Sequence, residues 1–144
     1  MSIKLKIEGF EQLLKDIEKA GGSINSATQE CMKKSADIMQ NELKAKMQSA
    51  NVASDLISRM PAPEIETNAN RVTARVGYKK GAYNPEDPSD GYKVVFLNYG
   101  TPNRTEHGKM RKLGFIQKAK NSAKKLIKAE QEKTLTEILK GLTK

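Results

Sequence analysis

Residues 113–142 keep helical spacing throughout, yet their apolar side changes face half-way along. Phe115, Ile116, Ala119, Ala123, Leu126 and Ile127 share one side of a helical wheel, while Leu135, Ile138, Leu139 and Leu142 lie on an arc rotated by about 130°. A straight helix cannot turn both stripes to one core. Either it bends near 129–133 or its last turns pack on something else, and a second subunit is the favoured covering. The chain therefore needs two apolar surroundings for one helix.

The other long helical stretch begins at Ser23 or Ser26, where Ser26 and Gln29 have the spacing of a capping box, and runs to about Ser49. Glu30, Lys33, Asp37, Gln40, Asn41 and Lys44 occupy one narrow polar arc, and nearly all the rest is apolar or small. A surface helix normally shows a narrower apolar stripe. A face this wide predicts contacts on two sides: a sheet on one, and the C-terminal helix or a neighbouring subunit on the other. Met32, Met39, Leu135, Ile138, Leu139 and Leu142 are accordingly the candidate subunit interface, and Leu139→Asp is expected to weaken assembly more than folding.

Between and before these helices the pattern is shorter-ranged. Residues 2–7 alternate strictly, with Ile3, Leu5 and Ile7 on one side, and predict a half-buried strand. Residues 9–19 switch to helical spacing on Phe10, Leu13, Leu14 and Ile17, and Gly21-Gly22 supplies the C-terminal stop. Residues 54–60 make a helical turn closed by Pro61 and Pro63. Residues 64–67 and 71–78 read as a hairpin across Asn68-Ala69-Asn70, with Val72, Ala74 and Val76 on one face. Residues 79–91 have no periodicity and read as a long flexible loop. Residues 92–99 (YKVVFLNY) are β-branched and aromatic and predict a strand pairing with 71–78. The expected fold is one α+β domain over 1–144. It has an antiparallel sheet of three to four strands, with the long second helix and the C-terminal helix packed on one face.

Charge is uneven. Residues 101–144 hold 12 basic and 4 acidic side chains, a net of +8 in a chain whose total is +9. Lys118, Lys120, Lys124, Lys125 and Lys128 form a basic helix face. Such a face neutralises phosphates without reading bases, so a sequence-nonspecific DNA-binding module is the alternative functional reading. The plainer one is a solvated helix.

Residues for catalysis are sparse. His107, beside Glu106, is the only histidine, and a small hydrolase or toxin built on that pair is a third reading. Cys31 falls on the apolar side of its helix and reads as core. Glu86, Asp87 and Asp90 lack the spacing of a calcium loop, and no phosphate-loop, nucleophile-elbow or zinc-protease pattern occurs. No catalytic residue, metal ligand or cofactor is assigned. One cysteine allows no internal disulfide, the first residues carry no apolar leader core, and no run reaches the roughly 18 apolar residues a span requires. The expectation is a soluble, non-enzymatic protein made in a reducing cytoplasm.

The arrangement resembles the small tail-component family of long-tailed bacteriophages, which includes head–tail joining and tail-completion proteins. The likeness begins with the opening strand and Ile7–Ile17 (IEGFEQLLKDI) and continues through the long second helix. It then rests on a strand end carrying Val94, Phe96, Gly100 and Thr101, and on a helix opening at Gly114-Phe115-Ile116-Gln117-Lys118-Ala119. The family's acidic residue two before Gly-Thr is Asn98 here, and the prolines of the helix opening are Gly114 and Lys118. The resemblance implies a virion part of the neck or tail, made in the host bacterial cytoplasm. It would form a ring homo-oligomer that meets connector or head-closure proteins and tail-terminator or tail-tube proteins, with no membrane partner.

Overall fold

The computed structural model describes residues 2–5, 9–68, 71–79, 89–100 and 112–143. The elements are β1 (Ser2–Leu5), α1 (Glu11–Lys19), α2 (Ile24–Ser49), α3 (Ser54–Ser58), β2 (Glu64–Asn68), β3 (Arg71–Gly77), α4 (Asp90–Tyr99) and α5 (Phe115–Leu142). The fold is α+β, as expected: a three-stranded antiparallel sheet, ordered β1-β3-β2, with α2 and α5 packed against it.

Each boundary has a local cause. The Ser23 side chain accepts a hydrogen bond from the Ser26 N–H at 3.3 Å and starts α2. Gln29 is not half of a capping box; its side-chain amide donates to Thr67 Oγ1 instead, at 3.1 Å. Helix α1 stops in a paired C-terminal motif: Gly22 N–H reaches the Ile17 carbonyl and Gly21 N–H that of Glu18, with Gly21 at φ +90°. Helix α2 stops the same way on Asn51 at φ +60°, with Val52 N–H returning to the Met47 carbonyl.

Strand β3 is the middle of the sheet. Ala74 stands between Leu5 on one side and Ile65 on the other, and Ile3 faces Val76. Val72, Ala74 and Val76 are buried together, as their alternation predicted. Under them lie Met32, Ala36, Met39, Leu43 and Met47 of α2, then Phe115, Ile116, Ala119 and Ala123 of α5. The wide apolar face of α2 is thus used on two sides, by the sheet and by α5. Leu126, which shares the wheel face of Phe115, is half exposed.

Residues 92–99 are not a strand. They belong to helix α4, which also takes Asp90 and Gly91 out of the expected loop. Two physical facts override the strand-forming composition. Both edges of β3 are already taken, by β1 and β2, so no place for a fourth strand remains beside it. The buried positions of the segment, Gly91, Val94 and Asn98, also recur at helical rather than alternate spacing. Gly100, at φ +77°, ends the helix with its N–H on the Phe96 carbonyl at 2.8 Å. Residues 80–88 of the expected loop lie outside the described residues.

The rotated stripe of α5 is covered by the chain itself. Leu135 is completely buried with Ile17 of α1 and with Ala27 and Cys31 of α2, and Ile138 and Leu139 pack partly buried on the same cluster. Helix α1 closes a second, smaller core, and α5 is one uninterrupted element that serves both.

Candidate functional site

Four of the residue sets singled out from the sequence can be placed. The first is the candidate interface, which needs correcting. Met32, Met39 and Leu135 are interior side chains, each 0–1 % exposed, so they cannot meet a second subunit in the folded chain. Ile138 and Leu139 pack, partly buried, on the cluster of Ile17, Ala27, Cys31 and Leu135. Leu142 is the one with accessible surface, 38 %, and even it rests on Gly22, where an added Cβ would stand 2.5 Å from Leu142 Cδ1.

The second set is the motif residues, and the structure draws them together. Helix α4 ends and α5 begins in one junction. Leu113 N–H donates to the Leu97 carbonyl at 3.2 Å and Gly114 N–H to the Asn98 carbonyl at 3.0 Å. The buried Asn98 side chain then accepts from the Ile116 N–H at 2.9 Å, capping α5 from a different helix. Gly114, at φ +66°, makes the turn into α5, and Phe115 and Ala119 are fully buried behind it. A carboxylate at position 98 would serve the same N–H with a favourable helix dipole, so asparagine keeps the acceptor. Thr101 lies outside the described residues, as do Glu106 and His107.

The third set is the lysines. Lys118, Lys120, Lys124, Lys125 and Lys128 are all exposed, and among the described residues none of the five is in an ion pair. Lys120, Lys124 and Lys128 line a groove of about 650 Å³ between α5 and β1, whereas Lys118 and Lys125 lie outside it. Ile3 and Leu5 of β1 form the opposite wall, with Met39 and Ile127 also lining it. Among the described residues no strand pairs with the outer edge of β1. A smaller hollow of about 370 Å³ by Tyr78 differs in charge: there Lys79 is paired with Glu64 at 2.7 Å, and each holds the other in its charged form.

The fourth set is the titratable groups. Burial, helped by Glu130, pushes the Cys31 thiol up to about 12, so it stays protonated and unreactive. Asp90 is held below its ordinary value by the Arg59 guanidinium, which grips it at 2.9 and 3.2 Å and ties α4 to the turn after α3. Glu86 and Asp87 lie outside the described residues. Among those described, no cluster of three or more His, Cys, Asp or Glu could hold a metal ion, and no helix is long and apolar enough to cross a membrane.

No family model, curated protein or solved structure matches the chain.

The groove was only half legible beforehand. Helical spacing locates the lysines, but nothing local says that Ile3 and Ile127 share a cavity wall. Asn98 was legible only as a departure from a pattern; its role as a cap depends on a contact across 101–111.

Proposed function

We propose that the protein is a non-enzymatic structural component of the neck or tail of a long-tailed bacteriophage or prophage virion, acting in head–tail joining or tail completion by assembling with itself and with neighbouring neck or tail proteins. The observation that carries this reading is the α4–α5 junction. Gly100, Phe115 and Ala119, part of the set on which the resemblance to tail components rests, stand on either side of 101–111, while Val94 and Phe96 of that set lie on helix α4 and not on a strand end. Phe115 and Ala119 are buried behind the Asn98 cap, and Gly100 ends α4 two residues after Asn98.

Of the apolar side chains first expected to mediate assembly, all but Leu142 are packed into or against the chain's own cores. Assembly would then use what stays outside: the lysines, the edge of β1, and the exposed Tyr99, Leu126 and Leu142. Particles made without the gene should accumulate as filled heads and separate tails, restored by supplying the protein in trans. Normally joined particles from the deletion would overturn the proposal.

The second reading, nonspecific DNA contact, is favoured by the five exposed lysines without ion pairs among the described residues. Retention on duplex DNA should then fall linearly with the logarithm of salt, and Lys124→Gln with Lys125→Gln should flatten that slope.

A further inference from the structure

We propose that the groove between β1 and α5 docks an extended acidic segment of a partner protein, which adds as a strand to the outer edge of β1. The proposal stands on the groove alone, whichever particle the protein belongs to.

Three features of the groove select this occupant. One wall is a strand edge. Four residues of β1 pair with β3 on their inner side, and among the described residues nothing pairs with the outer side. An exposed row of backbone donors and acceptors is a template for another extended chain. The facing wall is a helix whose lysines recur at Lys120, Lys124 and Lys128. That repeat advances about 6 Å per step along a helix, and side chains on one face of a strand advance about 6.6–6.8 Å per two residues. An added strand running along α5 would bring carboxylates at alternate positions to successive lysines. Of the remaining lining, Ile3, Leu5 and Ile127 suit the apolar stems of such side chains.

Charge completes the case. The groove's three α5 lysines have no acidic partner among the described residues, whereas the hollow by Tyr78 has its lysine already paired. A nucleic-acid backbone would gain from the same lysines but offers phosphate acceptors without donors for the strand edge's carbonyls, and it would draw equally on Lys118 and Lys125, which stand outside the groove.

The test is fluorescence anisotropy on the full chain with a short labelled peptide alternating Glu and Thr. Its comparators are the same peptide N-methylated at alternate residues, a Lys-Thr counterpart, and duplex DNA as competitor. The Glu-Thr peptide should bind and the Lys-Thr peptide should not. Lys120→Gln, Lys124→Gln and Lys128→Gln together should weaken binding about tenfold or more, with unchanged thermal unfolding. Lys118→Gln with Lys125→Gln should leave it within about twofold. N-methylation should weaken binding as much as the triple substitution does. Equal binding of the methylated peptide would overturn strand addition. Absent binding, or duplex DNA that displaces the peptide and loses affinity equally in both lysine variants, would overturn the protein partner.

Discussion

The first half of α5 and its last turns bury different things. Phe115, Ile116, Ala119 and Ala123 close the large core beneath the sheet, alongside the methionines of α2. Leu135, with Ile138 and Leu139 at its margin, closes a small cluster whose other members are Ile17, Ala27 and Cys31. The two are divided by a buried polar step. Gln131 Nε2 donates to Ser35 Oγ at 3.2 Å, and Ser35 Oγ–H donates to the Cys31 carbonyl at 2.8 Å. A stripe that rotates along a helix thus need not announce a partner molecule. Here it records a second core in the same chain, closed by nine residues of α1.

The comparison can be broken most severely at its large end. Phe115→Ala should cost about 3–5 kcal/mol, read by urea unfolding, with both clusters lost together. Leu135→Ala empties a smaller, less enclosed site that can relax, so about 2–3 kcal/mol is expected. Hydrogen exchange should accelerate in Glu11–Lys19 while Arg71–Gly77 keeps its protection. Equal acceleration in both segments would show one core, not two.

Next comes the polar step. Ser35→Ala leaves the Gln131 amide without its acceptor and should cost about 1–3 kcal/mol. Adding Gln131→Leu should recover part of that loss, and a strictly additive double-mutant cycle would contradict the coupling. Cys31 then offers a gauge of the small cluster alone. Because burial pushes its thiol up to about 12, labelling must wait for opening. Its rate should exceed that expected from global unfolding, and Leu139→Asp should raise it further while the sheet stays folded.

The smallest effect concerns α4, which contributes Val94 to the large core only. Asp90 has a folded pKa depressed by Arg59. Its contribution is therefore present above the ordinary aspartate value of about 3.9 and lost as pH falls through the lower folded value. Wild type should lose a slight advantage over Asp90→Asn across that window, and a difference that persisted below it would rule the pair out as the cause.

Much of this was legible in the sequence because it is periodic over short range. The alternation of 2–7 and 71–78 predicted the strands found at Ser2–Leu5 and Arg71–Gly77, and helical spacing predicted α1, α2 and α5; Ile7 and the expected turn at 69–70 lie outside the described residues. What failed was non-local. The composition of 92–99 favours a strand, and only the occupancy of both β3 edges decides against it. The wheel of α5 shows that two surfaces need covering, and nothing in it shows that Ile17, more than a hundred residues earlier, covers one of them. The groove was missed for the same reason: its walls come from the two ends of the chain.

The junction below Asn98 is a clasp. Two backbone hydrogen bonds and one side-chain cap fix the points where the chain leaves α4 and enters α5. The clasp thus sets the register between the end of α4 and the start of α5 through residues 97–98 and 113–116.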